Sequence, residues 1–452
     1  MNKSDEELFS KYSMYSKPNV TNVKNLKDIY DKFLSGETGN SLYSGDNSVL
    51  LRGEAGVYSD PIASVNRLRD PNFLKIIQEY HGEIGADIST LEENNFLFYS
   101  QHHGLPTPLL DTTEILNTAL YFATNEDGQG EQGQLHVFDK RLCIDISSIP
   151  HKGFWDIDIE KEYLSMLANK GSELFSLMFN GLERARQQDK SINSILNVWN
   201  NDLIKYISDF PVIDMMDDAP KHMKNDVVYQ NYMEVAKLLN TKYIEGDYLK
   251  ETQSIEDFIH EGLSDVYTHV WDEEDPSYDY DDQFPKLLHY ETEQTLVDVL
   301  FAKYLSLNNS YISFYEMGGE VQKQIKQDSV FKYFCLLDIA LFVLGRSIYV
   351  NRTSEYLPHL PYLLVNPSVK FGRIKAQQGN FLYQISAKYN YINNDKNTKY
   401  TARVIQKIVS NERILIENKE TVLKELDYMG INRGTIYLDP DNIAKHITSK
   451  YK

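Results

Sequence analysis

Cysteine is almost absent from this chain, with two in 452 residues, Cys143 and Cys335. Two thiols cannot build a disulfide framework. Neither stands in a CxxC or Cys/His spacing, and no HExxH occurs, so no metal site is expected. Long apolar runs are also missing. The longest, "YFCLLDIALFVLG" at 333–345, contains Asp338 and is too short to span a bilayer, so it reads as a buried core helix. The first residues, MNKSDEELFSKYS, contain no apolar signal-type region. A cytoplasmic protein with no membrane contact is the expectation. Positive charge is in deficit: the formal net charge is −20, which argues against a passive, non-specific nucleic-acid binder. The deficit is concentrated, because 261–282 holds nine carboxylates and no lysine or arginine. Such a run reads as a solvated loop, and no EF-hand spacing supports calcium. Internal repeats and low-complexity tracts are absent.

What is present suits a large globular core, with 42% hydrophobic and 25% charged residues. Residues 1–45 read as an N-terminal helical segment in which "NLKDIYDKFLSG" stops at a glycine. Residues 46–150 mix strands and helices, and "GQLHVFDK" (133–140) alternates as a strand does. Residues 151–354 change character, with apolar residues at helical spacing in "GSELFSLMFNGLERARQQDKSINSILNVWNNDLIKYI" and "ETEQTLVDVLFAKYLSL". Residues 355–452 return to strands, "GNFLYQIS" and "YTARVIQKIVS", followed by the amphipathic "NKETVLKELDYMGI". The simplest architecture is an α+β mixed core sheet split by a large, mainly α-helical insertion, because neither outer part alone has enough strands for a good sheet; the alternative is two independent α/β domains flanking a helical one.

Three stretches could carry chemistry. In "NSVLLRGEAG" (47–56) a short apolar strand runs into Arg52-Gly53. An arginine buried there needs partners for its five donors. Gly53 and Gly56 would let the backbone turn or approach a ligand, although a plain strand end with a solvated arginine fits equally. In "YSQHHGLPTPLLDTTEILNTALYFAT" (99–124) a helix ends at Gln101-His102-His103, two prolines hold the chain extended, and Asp111 or Thr112 could cap the next helix. His102 reads either as a helix-end histidine or as a general base. In "GRIKAQQGNFLYQIS" (372–386) Gln377 and Gln378 precede a strand, either in solvent or with amides turned into a cleft.

The ordered set "LLRG", "SVNR" (64–67), "QHHGLPTPLLDTTEILNTALYFA", "RIKAQQGNFLY" and "KELDYMGINRGTIYLDPDNIAKHI" resembles the FRG domain family, named for a Phe/Tyr-Arg-Gly tripeptide. The resemblance covers roughly 45–145 and 355–450, on both sides of the helical segment, and implies that the strands of 47–53 and 379–386 lie in one sheet. The tripeptide here is Leu51-Arg52-Gly53. The family's "QHYGLPTRLLDWT" carries His103 for tyrosine, Pro108 for arginine and Thr112 for tryptophan. Members are bacterial and phage-associated proteins.

The same order is more distantly similar to ADP-ribosyltransferases, which hold a phosphate of NAD with a strand arginine and use a late-strand Glu/Gln-x-Glu pair. That similarity implies NAD as a substrate and a site with Arg52, His102, Asp111 and Gln378 in catalytic positions. Arg52, Gly53, Thr112, Thr113 and Gln377 would lie against the nucleotide. Arginine chelates phosphate through two parallel bonds, and a carboxylate would stabilise an oxocarbenium-like transition state. The late-strand position holds glutamine and then Gly379 or Asn380 instead of that acid. Either Asp111 or Glu114 supplies it, or the domain binds a nucleotide without transferring it. The implied function is nucleotide binding, with ADP-ribosyl transfer or NAD cleavage, in a defence or toxin setting. The alternative is a non-catalytic scaffold whose helical insertion binds a protein partner.

Overall fold

A computed structural model of the chain describes residues 3–34, 49–69, 72–125, 130–148, 173–209, 328–334, 336–337, 340, 356–367, 377, 379–393, 398–438, 440–449 and 451. The chain divides into two compact units, one formed by Met1–Ile157, Pro361–Ile385 and Lys407–Lys452, the other by Asp158–Leu360 and Ser386–Gln406. In chain order, the elements up to residue 148 are α1 (Lys3–Tyr12), β1 (Asn19–Val23), α2 (Leu26–Leu34), β2 (Val49–Glu54), α3 (Phe73–Ile84), α4 (Thr90–Glu93), α5 (Phe96–His102), β3 (Leu109–Thr113), α6 (Leu116–Thr124), β4 (Gly133–Asp139) and β5 (Cys143–Asp145). Then come α7 (Glu173–Gln188), α8 (Ile192–Asp209), β6 (Tyr362–Val365), β7 (Gly379–Tyr383), β8 (Ser386–Asn393), β9 (Thr398–Ile405), β10 (Glu412–Ile416), α9 (Lys419–Tyr428), α10 (Arg433–Tyr437) and α11 (Pro440–Ser449).

The first unit is built on an eight-stranded mixed sheet in the order β1-β10-β4-β2-β3-β7-β6-β5. Strands from both sides of the long middle segment meet in it, since β3 pairs antiparallel with β7 along Leu109–Thr113 and β2 stands on the other side of β3. The expectation that 47–53 and 379–386 share a sheet is met. The fold is mixed, α+β. Residues 1–45 are more than helices, because β1 is an edge strand pairing parallel with β10. Its sequence, NVTNV, carries β-branched residues but little burial, which is why its apolar pattern is weak. In contrast, all seven residues of β4 are buried, as expected for a strand covered on both faces.

Two apolar layers flank the sheet. On one face Leu51, Leu135, Val137, Ile414 and Ile416 pack with Ile29 of α2, Ala119 and Ala123 of α6, Val422 and Leu426 of α9 and Ile436 of α10. On the other, Leu50, Leu110, Phe138, Leu364 and Leu382 pack with Ala63 and Ile408. The period of two therefore sends Leu51 and Gly53 toward α6 and sends Leu50, Arg52 and Glu54 to the opposite face.

Gly53 has a packing reason. A Cβ built there would stand 1.9 Å from the carbonyl oxygen of Ala119, and one at Gly133 of β4 would stand 1.8 Å from that of Ala123. The glycines of two neighbouring strands and the alanines one turn apart on α6 let helix and sheet touch backbone to backbone. Gly53 is a strand residue and not a turn, and this close approach of a helix gives it a packing role while it also lines the cleft described below.

In the second unit, α7 and α8 and the helical residues 329–334 bury Leu182, Leu196, Leu203 and Phe334, and Trp199 packs against Tyr333 at 5.7 Å and His359 at 4.7 Å. The Tyr333 hydroxyl donates to the His359 carbonyl at 2.9 Å. Burial pushes the His359 ring down to about 3, so it is neutral. β8 and β9 form a separate two-stranded sheet in this unit, although the sequence reading groups them with the core. The helical reading of 210–327 and the acidic run 261–282 lie outside the described residues.

Gly53→Ala should lower the stability of the sheet unit by about 1–3 kcal/mol or more, because the clashing atoms are backbone and cannot rotate away. Urea unfolding followed by circular dichroism measures this, and a change within ~0.5 kcal/mol, the range of neutral surface substitutions, would show that α6 does not rest on Gly53.

Candidate functional site

The sheet comes apart at its centre. β2 and β3 pair at Leu51 and Thr113 only, and beyond that pair the ladder stops while β3 stays paired to β7 and β2 to β4. The opening is a cleft of about 240 Å³ lined by Arg52, Gln101, His102, Asp111, Thr113 and Gln377, with Phe98, Phe122 and Phe381 as its apolar wall. Arg52 bridges the split. Its Nε donates to Glu54 Oε1 at 3.0 Å and its Nη1 donates to the backbone carbonyl of Asp111 at 3.0 Å. That carbonyl belongs to the part of β3 that has lost its β2 partner. Nη2 has no acceptor among the described residues.

Glu54 is the hub behind the arginine, and the sequence reading missed it. The signal was available, because residues i and i+2 of a strand share a face. The same holds in β4, where Gln134 and His136 stand directly opposite Glu54 and Arg52. Gln134 Nε2 donates to Glu54 Oε2 at 2.7 Å, and His136 Nε2 lies 3.2 Å from the same oxygen. Burial pushes the Glu54 carboxyl up, but the hydrogen bond from His136 and the charge of Arg52 outweigh it, holding the group well below the usual carboxylate range. Burial pushes His136 down more than Glu54 pushes it up, so the ring is neutral. A carboxylate only accepts, so Nε2 carries the proton, and Nδ1 accepts from the Ser410 hydroxyl at 3.0 Å.

The other expected residues divide. His102, at the end of α5, lines the cleft and stands edge-on to His103 at 5.0 Å. Asp111 also lines it, and its carboxylate is exposed, accepting from Gln101 Nε2 at 3.1 Å. Asp111 and Thr112 do not cap the following helix, because both are strand residues of β3. Position 115 is the cap, with no side-chain bond of its own, and the Ile115 amide donates to the Thr113 hydroxyl at 3.0 Å. Thr112 and Thr113 donate to the carbonyls of Asn380 and Gln377 at 3.1 and 2.7 Å, so both hydroxyls tie β3 to the late strand. Gln377 lines the cleft while its Nε2 donates to the Ile436 carbonyl at 3.2 Å. Gln378 lies outside the described residues. Glu114 is not among the lining residues. It accepts from Lys140 at 2.6 Å and from Asn380 at 2.8 Å. Among the described residues no cluster of three or more His, Cys, Asp or Glu could hold a metal, and no helix is long and apolar enough to cross a membrane.

Glu54→Gln keeps the shape and removes the charge, leaving Arg52 without its counter-ion. It should cost roughly 3 kcal/mol in urea unfolding, and a loss below ~0.5 kcal/mol would rule out the hub. The depressed carboxyl stabilises the fold above its unfolded value of about 4.3 and loses that contribution as pH falls below it. The depressed His136 acts from higher pH, since the unfolded ring binds a proton below about 6.5 and the folded ring resists it. Stability should therefore fall between about pH 6.5 and 5, with the depressed His359 adding to the same limb, and His136→Gln should remove part of it.

No curated protein and no solved structure matches this chain. A family match covers the stretch that supplies β2, Gln101, His102 and β3, while Gln377 and β7 lie beyond its end. Residues 49–132 match the family described as the FRG domain, and the chain carries that domain.

Proposed function

We propose that the split between β2 and β3 binds NAD or a closely related nucleotide, and that it acts on the bond between ribose and the nicotinamide ring. The orientation of Arg52 carries this reading: two of its nitrogens are fixed to protein, which presents the rest of the fork to the cleft. Electrostatics narrow the ligand class. Glu54 balances the Arg52 charge, and Asp111 adds a carboxylate, so a ligand that is only anionic is disfavoured. NAD places a cationic pyridinium near a pyrophosphate, which suits an arginine beside an exposed carboxylate. The cavity, at about 240 Å³, lies below the ~300–1,000 Å³ of pockets that enclose whole drug-sized ligands. It fits the nicotinamide–ribose end, with the flat ring against Phe98, Phe122 and Phe381.

In this reading Asp111 takes the place of the late-strand acid. The bond between C1′ and the ring nitrogen breaks, its electron pair leaves with nicotinamide, and Asp111 stabilises the positive charge left on the ribose. Water or an acceptor side chain then bonds to C1′ and gives up its proton. Arg52 holds the adjoining phosphate. Loss of NAD from a cell is the physical route to the defence or toxin role that the resemblance implies. Glu54 favours a second reading, because an arginine with a buried carboxylate partner can be purely structural and the domain a scaffold.

Calorimetric titration with NAD and ADP-ribose separates the two. Wild type should bind, and Arg52→Lys, which keeps charge but loses the fork, should bind at least about tenfold more weakly. Asp111→Asn loses the charge that faces the pyridinium, so it should bind NAD about tenfold more weakly and release nicotinamide on the order of 100-fold more slowly. Wild type that binds neither ligand leaves only the scaffold.

A further inference from the structure

We infer that Gln101 is a positioning residue for Asp111, tying one carboxylate oxygen so that the other is presented to the cleft. The inference deepens the NAD reading above and rests on it for its ligand. Three bonds in series carry it. The Leu109 amide donates to the Thr107 hydroxyl at 3.2 Å, so that hydroxyl uses its own proton elsewhere. It donates that proton to Gln101 Oε1. Gln101 Nε2 then donates to Asp111 Oδ2 at 3.1 Å. The amide has only one sensible orientation, because the flipped form would set its oxygen against the carboxylate, two acceptors facing each other.

The relay is anchored in the fold. Thr107 is fully buried, its amide donates to the Ser64 hydroxyl at 3.0 Å, and it sits between Pro106 and Pro108, which fix the backbone on either side. Gln101 comes from the last turn of α5 and Asp111 from β3, so the bond joins two elements across one wall of the cleft. Asp111 is held from two sides: Gln101 takes its carboxylate and Arg52 takes its carbonyl. Oδ1 has no protein donor among the described residues and is the oxygen left to a ligand.

A residue that only fills space tolerates an isosteric change, and a positioning residue does not. Gln101→Glu has the same shape but replaces the donor with a second negative charge beside Asp111. It should weaken NAD binding about tenfold in calorimetric titration, as should Gln101→Leu, with circular dichroism checking the fold. In an Asp111→Asn background, Gln101→Leu should change affinity less than about twofold, because the residue it acts through is already altered. Unchanged binding by Gln101→Glu, or equal losses in both backgrounds, overturns the inference. Should wild type bind no NAD, the reading of the cleft fails, and the same cycle is read in urea unfolding midpoints. Non-additive midpoints then uphold the Gln101–Asp111 pairing, and additive ones overturn it.

Discussion

The central split of the sheet depends on the Arg52–Glu54 pair. Two β-strands that part in the middle of a sheet leave backbone groups without partners, and buried orphans cost free energy comparable to a lost hydrogen bond. Arg52 meets part of that demand by donating to the Asp111 carbonyl where the β2–β3 ladder ends. The guanidinium can stay there because Glu54, on the same face of the same strand, neutralises it. Glu54 in turn is kept ionised against the pull of burial by His136, Arg52 and Gln134. The Glu54 carboxylate is thus satisfied from three sides, whereas Gln134 Oε1 is buried without a partner among the described residues.

The glycine after the arginine belongs to the same design by a different route. Arg52 faces one side of β2 and Gly53 the other, and only a residue without Cβ lets α6 lie against the strand at backbone distance. α6 begins just beyond β3, so its seating also fixes where β3 ends and where Thr113 and Asp111 stand. An Arg-Gly pair thus serves both faces of one strand, with an ion pair on the cleft side and a helix contact on the core side. The Arg52-Gly53 pair of this chain has a structural reason in these two opposite demands.

Much of this was legible in the chain. The alternation in β4, the helix stop before Gly104 and the amphipathic α9 were written in spacing and turn residues. Strand pairing across the long middle segment came from resemblance, since nothing local in Leu109–Thr113 says that it will meet Gly379–Tyr383. The edge strand β1 was missed because an exposed edge needs little apolar pattern. Asp-Thr-Thr before a helix allows a cap at Asp111 or Thr112, and the pairing with β7 overrides that local preference. Glu54 was within reach through strand periodicity, whereas Gln134 and His136 depended on register, which a sequence does not print.

Hydrogen exchange with and without NAD tests most directly whether the split is a binding cleft. The account predicts slower exchange at the amides of β2 and β3 that border the opening, within 51–54 and 109–113, with little change at β10 and α9. Protection that appears only away from those two strands, or none at saturating NAD, would contradict it.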